Sequence, residues 1–450
     1  MRLDDTSLLA IFVALYFALV LWYGIRGTHS EQDGARFLTA NRSVGWAFCA
    51  MSLVSTIIGG SATLGIGSLA RKNGTAAFWW LGVGAIGLLI HGWLIVPRIR
   101  RMRAVTLPEV VDELAGPLAR RWSAFIIATA WVAITAAQFV ALFALLKSLA
   151  GPTLGSLLYW LTVSGILLHT MIGGQRGVIR TDVLQAAVLL IGFSATMLWL
   201  IVEEPARLSA VEWSFLTPTF GWLDLLQMLL LVGITYVIGP DMFSRTFSAS
   251  SPSAARRAAW TAAPVLVFFS VVITLLAVTN LSAAQPVGDW LSSASPLPFA
   301  LKTMLALGLI SALCGSADTV LLSAAGIFER DIFGGNRARV MQGIVGLIGI
   351  VAALMVYVQG NIISLLLTGY ALFVPGVAVP LLVTLLLRER ALDRKLWVAG
   401  AFLGGLFGIA ANLLGMSALT YVGMGISALG ALLAYWFGKP ALTLARAMSK

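Results

Sequence analysis

Two aspartates lie inside apolar stretches of the sequence and are the first candidates for chemistry. Asp318 stands in "SALCGSADTVLLSA" beside Ser316 and Thr319, and Asp182 stands in "GVIRTDVLQAAVLL". An aspartate at the centre of a bilayer costs about 2.5 to 3.5 kcal/mol on insertion scales, so it usually faces a cavity or a partner. Sodium is a hard cation, and hard cations take hydroxyl, carbonyl and carboxylate oxygens. The two segments therefore contain groups that a cation site needs. For Asp182 a simpler reading is a helix cap or a pair with Arg180.

The glycine-rich segment "STIIGGSATLGIG" offers oxygens of another kind. Four glycines loosen its backbone within an apolar block, and an unwound membrane helix exposes carbonyls that can bind an ion. The predicted ligands are carbonyls around Ser55 and Ile58 on this segment, and the Ala312 carbonyl and Ser316 hydroxyl on the aspartate segment. Simpler readings stay open here too: the glycines would allow close helix packing, and the hydroxyls would bond to their own helix.

Apolar blocks that recur along the whole chain must position these residues. The chain has 450 residues, of which 59% are hydrophobic and 11% are charged. About 20 apolar residues suffice to span the hydrocarbon core of a bilayer. Thirteen blocks are predicted as membrane helices, near residues 7–24, 44–68, 77–97, 122–148, 156–172, 180–202, 221–240, 260–281, 297–327, 340–358, 361–386, 396–415 and 417–437. The protein is thus predicted to be an all-α polytopic membrane protein.

The distribution of positive charge predicts the orientation of these helices. Most of the 30 Lys and Arg residues fall in connections that are cytoplasmic if the amino terminus is outside, among them Arg245 in the connection 245–257. The positive-inside rule then places the carboxyl terminus inside. The formal net charge of +11 is therefore a sign of topology. Its densest cluster, "RIRRMR", is suited to anionic membrane lipid, whereas nucleic acid is not expected as a partner.

Cysteine, histidine and nucleotide-binding patterns narrow the class of protein further. Cys49 and Cys314 both lie in predicted helices, so no disulfide is expected. His29, His91 and His169 lack metal-ligand spacing and are expected to be isolated, with His91 a further candidate for a substrate pocket. The sequence contains no nucleophile and base pattern and no "GxxxxGK[ST]" loop, so neither an enzyme nor an ATP-driven pump is predicted.

Two broken helices at matching positions predict an inverted repeat around a central site. The first contains the glycine-rich segment, and the second contains "GITYVIGPD". Five predicted helices lie on each side of the midpoint, and an odd unit of five inverts naturally. The predicted organisation is a leading transmembrane helix and cytoplasmic loop (1–43), a first repeat (44–202), an extracellular loop (203–220), a second repeat (221–386), and two carboxyl-terminal helices with a cytoplasmic tail (387–450).

Six motifs in order resemble those of the sodium/solute symporter family, which includes proline, pantothenate and sodium-glucose symporters. "FLTANRSVGW" and "AMSLVSTIIGGSATLGIGS" resemble the first core helix and its approach, and "RAVTLPEV" resembles the loop with "TLPE". "GGQRGVIRTDVLQA", "GPDMFSRTFSASS" and "GSADTVLLSAAGIFERDIF" resemble three further core segments. The resemblance covers nearly the whole chain and implies a LeuT-type fold of ten core helices, with one helix before and two after.

The resemblance also implies a sodium site. Its ligands would be the backbone oxygens of Ser55, Ile58 and Ala312 and the hydroxyl of Ser316. Gly315 stands where the family usually has a second hydroxyl. Either a water or a nearby carboxylate replaces that ligand, or sodium binds weakly, or the coupling has changed.

A second cation site and a substrate pocket are implied in the same way. Some members build an additional site from residues matching Asp182, Asp318 and Thr319, so Asp318 is expected to serve cation binding or proton exchange near the inner gate. The simpler reading is an aspartate paired with a polar neighbour for packing. Proline-type members carry an aromatic residue four positions before the proline of the second broken helix, as Tyr236 precedes Pro240. The polar residues expected to share this cavity are Ser61, Thr63, Gln138 and Thr235.

The predicted function is sodium-coupled symport of a small polar organic solute, such as an amino acid or a small organic acid, by alternating access in a cell membrane, here a bacterial inner membrane. The nearest alternative keeps the fold and replaces sodium with a proton on Asp182 or Asp318. A transporter-like sensor is a further alternative. The expected partners are the solute and membrane lipid, and the chain is expected to be a monomer or a weak homo-oligomer.

Overall fold

The computed structural model of the protein describes residues 5–26, 31–102, 104–280, 287–292, 295–358, 362–387 and 390–440. His29 lies outside the described residues, so its predicted isolation is not addressed. The described residues form nineteen α-helices, in chain order α1 (Asp5–Ile25), α2 (Gly34–Thr39), α3 (Trp46–Ile57), α4 (Leu64–Asn73), α5 (Trp79–Ile90), α6 (Val96–Ile99), α7 (Leu107–Ala115), α8 (Pro117–Glu203), α9 (Pro205–Ser209), α10 (Trp222–Met228), α11 (Ile234–Val237), α12 (Pro240–Ser248), α13 (Pro252–Val278), α14 (Phe299–Ile327), α15 (Ala338–Leu354), α16 (Ile362–Phe373), α17 (Val379–Leu387), α18 (Arg394–Leu414) and α19 (Ala418–Trp436).

Short turns and one pair of strands complete these elements. Turns of π-helix join α5 to α6 (His91–Ile95), α10 to α11 (Leu229–Gly233) and α16 to α17 (Val374–Ala378), and a fourth extends α14 (Phe328–Ile332). Strands β1 (Arg390–Ala391) and β2 (Lys439–Pro440) pair antiparallel. The described residues are otherwise helical or irregular, as the all-α prediction requires.

Helix α8 has 87 residues and folds back on itself. A straight helix of that length would run about 130 Å, several times the hydrocarbon core of a bilayer. Its regular dihedrals fail at Gly151, where φ is 75°, and at Gly174, where φ is 51°. A Cβ added at Gly155 would lie 2.5 Å from the Leu146 carbonyl oxygen, which a straight helix would hold about 13 Å away. The two glycines therefore divide α8 into three packed segments.

Helix α14 occupies the centre of the bundle. In the segment Phe299–Ile332, 94% of the most apolar stretch is buried, against 28% in α1. Large apolar side chains such as Leu15, Leu161 and Leu347 are more than half exposed on the outer surface, where lipid would meet them. Polar residues on α14 therefore face other helices.

Ten described helical segments are long and apolar enough to cross a membrane, judged by length and composition. Both predicted breaks are observed: α3 ends at Ile57 before α4, and α11 ends at Val237 before α12. The predicted end of the second broken helix at Pro240 is wrong. Because proline fits the first turn of a helix, α12 begins there and continues to Ser248. The count of thirteen crossings and the division into repeats stay predictions.

Candidate functional site

The first break frees backbone groups between α3 and α4. Ile58 has φ −84° and ψ 76°, outside the helical range. The N–H of Gly59 donates to the Ile57 carbonyl at 3.0 Å, where a continued helix would direct it to Ser55. The Gly59 carbonyl accepts from the N–H groups of Ala62 and Thr63. The segment thus leaves the helical hydrogen-bonding pattern at the carbonyls that the sequence singled out.

Helix α14 meets this break directly. The Ser316 hydroxyl donates to the Thr56 carbonyl at 2.6 Å, so it bridges two helices and does not bond back to its own. A Cβ added at Gly59 would overlap Ser316 Oγ and lie 2.8 Å from Gln138 Oε1. Gln138 Oε1 accepts from the N–H of Gly60 at 2.8 Å. Glycine at position 59 therefore leaves room for the contact between Ser316 on α14 and the Thr56 carbonyl on α3, which is called the junction below.

Asp182 is fully buried and paired with an arginine from the second broken helix. Its Oδ2 accepts from Arg245 Nη2 at 2.8 Å and from the Ser52 hydroxyl at 2.5 Å. Arg245 Nε is 2.9 Å from Ser52 Oγ, and its Nη2 also donates to the Thr319 hydroxyl. Arg245 is 1% exposed, so its assignment to a cytoplasmic connection is wrong. The pairing with Arg180 is also not observed, since Arg180 donates to the Arg26 carbonyl.

Asp318 is paired with a histidine. His169 Nε2 lies 3.0 Å from Asp318 Oδ2, and Asp318 Oδ1 is 3.4 Å from the Thr319 hydroxyl. His169 Nδ1 faces the Gly165 carbonyl at 3.0 Å, and because a carbonyl only accepts, Nδ1 carries a proton. The bond between Nε2 and Asp318 then needs one further proton, held by either partner. The two side chains together are electrically neutral, and the predicted isolation of His169 is wrong.

His91 is also engaged and spans the second break. Its Nδ1 donates to the Val237 carbonyl at 2.8 Å, at the end of α11. Its Nε2 lies 2.8 Å from the Thr246 hydroxyl on α12, and in the neutral ring it accepts a hydrogen bond from that hydroxyl. His91 thus joins the two parts of the broken helix, and its predicted isolation is wrong.

The predicted substrate residues are distributed between the two breaks. Thr63 is fully buried and its hydroxyl donates to the Gly59 carbonyl at 2.9 Å, while Ser61 is 6% exposed in the same break. Thr235 donates to the Val232 carbonyl at 2.6 Å on the second broken helix. Tyr236 follows it, and its ring packs where Gly84 leaves room. Ser61, Thr63 and Gln138 therefore line the first break, and Thr235 and Tyr236 the second.

Two further polar groups lie beside Tyr236. Its hydroxyl is hydrogen-bonded to Tyr370. Asp241 stands in the first turn of α12, where its Oδ1 accepts from Trp131 Nε1 at 2.9 Å. This half-buried carboxylate was not predicted from the sequence. The signal that could have found it is its position directly after the helix-breaking "GP".

Arg245 and His169 were missed for a different reason. Each is an ionisable residue at membrane depth, which is by itself a functional hypothesis. Their partners, however, lie 63 and 149 residues away in sequence, and only the fold brings them together.

Ala312 and Ile58 are fully buried at the junction, as their predicted role requires.

Comparison with known proteins identifies relatives of this chain. Residues 37–408 match the sodium:solute symporter family. The human sodium/myo-inositol cotransporter is 31% identical over 209 residues, which cover 44% of this chain and 28% of that protein. The sodium/glucose cotransporter of Vibrio parahaemolyticus is 25% identical over 390 residues, which cover 73% of this chain and 68% of that protein. The chain spans about 30% of the length of the mouse solute carrier family 5 member 4A and of its rat counterpart.

Two solved structures share the fold. A Na+-coupled sialic acid symporter, substrate-bound and outward-open, aligns with a TM-score of 0.76 at 14% identity, covering 97% of this chain and 98% of that chain. A nucleobase-cation-symport-1 family transporter in a closed conformation aligns with a TM-score of 0.58 at 13% identity, covering 90% and 94%. The predicted LeuT-type fold is thereby confirmed, while the orientation of the termini stays a prediction.

Proposed function

Because the chain belongs to the sodium:solute symporter family, we propose that it couples sodium entry to the uptake of a small polar organic solute. The family and the fold are those of transporters, and the chain is a multi-pass membrane protein. Solute and ion bind near the middle of the membrane, and the core alternates between outward-open and inward-open states. The activity of the whole protein is itself a proposal, because this chain matches several relatives over only part of their length.

The observation that carries the proposal is the contact between the first break and α14. Ser316 reaches the Thr56 carbonyl across two helices at 2.6 Å, beside carbonyls released from helical bonding. Oxygen atoms gathered in a buried space are the donor set of a hard cation. We propose that the carbonyls of Ser55, Ile58 and Ala312 and the Ser316 hydroxyl contribute to holding sodium there.

Energy from the ion gradient is sufficient for accumulation of a solute. Each charge moved across 100 mV supplies about 2.3 kcal/mol, which corresponds to roughly a fifty-fold concentration ratio. Coupling requires that sodium bind one conformational state better than the other, since a ligand indifferent to both shifts nothing. The helices that meet at the junction must therefore change their contacts during the cycle.

The second break supports a solute with an amino group. Asp241 presents a carboxylate there, which accepts hydrogen bonds from Trp131 and from Ser323. The hydroxyls of Tyr236, Tyr370 and Thr235 lie beside it and are hydrogen-bonded to one another through Tyr370. An amino group pairs with a carboxylate, and the hydroxyls suit its polar remainder. We therefore favour a zwitterionic solute such as an amino acid over a strongly anionic one.

Uptake into proteoliposomes tests the proposal. Reconstituted protein is expected to accumulate amino acids or small organic acids when sodium is present outside, and to fail when choline replaces sodium. Ser316→Ala is expected to reduce sodium-driven uptake and the sodium-dependent rise in melting temperature together. Sodium-independent uptake, or a melting temperature equal in sodium and choline, would contradict sodium coupling.

Proton coupling is the alternative with an observation behind it. The pair of His169 and Asp318 holds one shared proton in a buried position. Asp318→Asn decides between the two coupling ions. Uptake driven by a pH gradient in the absence of sodium, and abolished by this substitution, would favour the proton. Sodium-driven uptake that survives the substitution supports sodium.

A sensor without transport is the remaining alternative, and measured accumulation of any solute would dismiss it. We propose that the protein acts in a cell membrane, that of a bacterium, in contact with membrane lipid. Its basic cluster "RIRRMR" begins with Arg98 in α6, and clustered positive charge suits the headgroups of anionic lipid. A monomer or weak homo-oligomer is proposed, with size-exclusion chromatography coupled to light scattering as the check.

A further inference from the structure

A polar pocket opens beside the second bend of α8, at Gly174. The segment of α8 between Gly151 and Gly174 is about 34 Å long, close to the thickness of the hydrocarbon core, so this bend lies near one surface of the bilayer. The pocket has a volume of about 110 Å³, several times what one water molecule needs. The polar side chains that line it include those of Arg36, Asn41 and Arg176.

The charges at this pocket are mainly positive. The side chains of Arg36 and Arg176 are exposed, and within the described part of the chain neither is hydrogen-bonded or ion-paired. Arg180 lies one turn after Arg176 on the same face of α8, and like charges at that spacing repel each other. Glu31 is the acidic residue of the lining, while the nearby Asp33 caps α2 through the N–H of Arg36. An anion in the pocket would relieve the repulsion among the guanidinium groups.

The backbone that shapes the pocket is held in an uncommon conformation. Ala40, Asn41 and Arg42 follow α2 with φ of 48°, 58° and 54°. Positive φ is costly for residues other than glycine, so it persists where surrounding contacts impose it, often at ligand sites. One such contact is made by the Phe37 ring, which fills the bend of α8, since a Cβ added at Gly174 would lie 2.6 Å from two of its carbons. Tight packing therefore fixes this wall of the pocket.

A stripe of exposed apolar side chains leads to the pocket. Leu161, Leu168 and Ile172 are exposed and lie on one face of α8, and Ile172 also lines the pocket. An acyl chain can follow this stripe while a phosphate reaches the two arginines, because guanidinium groups bind phosphate through paired hydrogen bonds. Free phosphate would make no use of the stripe, so the arrangement favours a phospholipid.

We propose that the pocket between α2 and the second bend of α8 binds the phosphate of an anionic phospholipid through Arg36 and Arg176. The lipid comes from the leaflet that the positive-inside rule assigns to the cytoplasm. Arg36 lies on α2, which connects α1 to α3, and Arg176 lies near the start of the third segment of α8, so the phosphate joins two elements. Helix α2 also packs on α14, where a Cβ added at Gly326 would lie 2.6 Å from Leu38. The bound lipid therefore stabilises α2 in its place against the core.

Thermal unfolding and native mass spectrometry of the purified full-length protein in neutral detergent test the proposal. Phosphatidylglycerol is expected to raise the melting temperature and to remain bound, whereas phosphatidylcholine, whose headgroup has no net charge, should do both less. Inorganic phosphate at the same concentration is expected to have no effect. Equal stabilisation and retention of the two lipids would overturn the proposal. Stabilisation by inorganic phosphate as large as that by phosphatidylglycerol would overturn the assignment to a phospholipid.

Removal of both arginines tests the site itself. Arg36→Gln combined with Arg176→Gln is expected to weaken phosphatidylglycerol binding about tenfold or more, because charge-assisted hydrogen bonds to the phosphate are lost. Arg121→Gln is the matched control, since Arg121 is an exposed arginine at the start of α8 that does not line the pocket. Its substitution is expected to leave binding unchanged. Unchanged binding in the double variant, or an equal loss in the control, would overturn the site.

Glu31→Gln tests the same site without removing an arginine. It takes the acidic group out of the lining, so we expect phosphatidylglycerol to bind more tightly than to the wild type. Weaker binding in this variant would contradict an anion at the pocket. A variant that is merely destabilised melts lower in both lipids, whereas loss of the site removes the difference between the lipids.

Discussion

Asp182 on α8 and Asp318 on α14 are both fully buried carboxylates in one polar network, but their oxygens are engaged differently. Asp318 contacts His169 through one oxygen and Thr319 through the other. Asp182 commits Oδ2 to Arg245 and Ser52, while its Oδ1 faces the space at Gly315 without a partner. The difference lies in where free electron pairs remain, since burial is the same for both.

This comparison separates the residues of the predicted second cation site into two groups, Asp182 on one side and Asp318 with Thr319 on the other. The resemblance grouped Asp182, Asp318 and Thr319 as possible ligands, and the structure places Arg245 between Asp182 and Thr319. A guanidinium there occupies the position between these two oxygens with a permanent positive charge. Among the described residues, the Oδ1 of Asp182, on the side away from Arg245, is the oxygen that stays without a partner for the predicted ion. The Asp318 side is suited to a proton, which His169 can share.

Asp182→Asn is expected to have the largest effect. Removing one partner of a buried ion pair costs roughly 3 to 5 kcal/mol, so the variant should melt far below the wild type in choline, and its sodium-induced rise should vanish. The double variant Asp182→Asn with Arg245→Gln is expected to recover stability but no sodium response. A full sodium-induced rise in the melting temperature of Asp182→Asn would contradict a role for Asp182 in binding the ion.

Asp318→Asn is expected to be milder and to sharpen the contrast. It weakens the bond to His169, which costs about 1 to 3 kcal/mol, but it leaves Asp182 and the Ser316 hydroxyl in place. We expect a lower melting temperature in both salts with the sodium-induced rise retained. His169→Gln serves as the matched variant from the other side of the pair. If sodium stabilisation disappears in Asp318→Asn and persists in Asp182→Asn, the roles are reversed.

Gly59→Ala tests the junction that both carboxylates adjoin. The added methyl group overlaps Ser316 Oγ, and overpacking of this kind costs about 1 to 3 kcal/mol. Because the two positions touch, Gly59→Ala combined with Ser316→Ala should be less damaging than the sum of the single changes, as measured by thermal unfolding. Gly165→Ala is the control, since a Cβ there meets open space. Additive losses would show that the junction is not tight.

Tyr236→Phe is expected to have the smallest effect on stability. The ring keeps its place beside Gly84 and only the bond to Tyr370 is lost, worth about 1 kcal/mol. Solute affinity measured in uptake should fall, while the sodium-induced rise in melting temperature should stay as in the wild type. A changed sodium response would place Tyr236 in the ion site instead.

Local signals in the sequence were sufficient for the helix breaks and the polar face of α14. The glycines of "STIIGGSATLGIG" and the "GP" of the second broken helix predict backbone interruptions, because glycine and proline act on their own residue and its neighbours. Ser316 and Asp318 were recognisable because polar groups are costly at membrane depth wherever they occur. These inferences needed no knowledge of what lies opposite.

The partners of those residues were not predictable from the sequence. Gln185 was visible one turn after Asp182, but nothing local shows that both face Gly315 of another helix. Arg245 was read as part of a loop because Pro240 was taken as the end of a helix that in fact restarts there. His169 carries no spacing that points to Asp318. Each of these pairings is tertiary, so a pattern within one segment cannot contain it.

The pairing of Asp182 with Arg245 also constrains how the chain is made. The aspartate leaves the ribosome 63 residues before its partner, an interval of about 3 to 13 seconds at ordinary rates of synthesis. During that time α8 carries an unpaired carboxylate whose place in lipid would cost about 2.5 to 3.5 kcal/mol. We therefore expect the third segment of α8 to stay near the insertion machinery until α12 arrives. Asp318 emerges still later, 149 residues after His169. Biogenesis of this protein is thus expected to depend on helices being retained together before release into the bilayer.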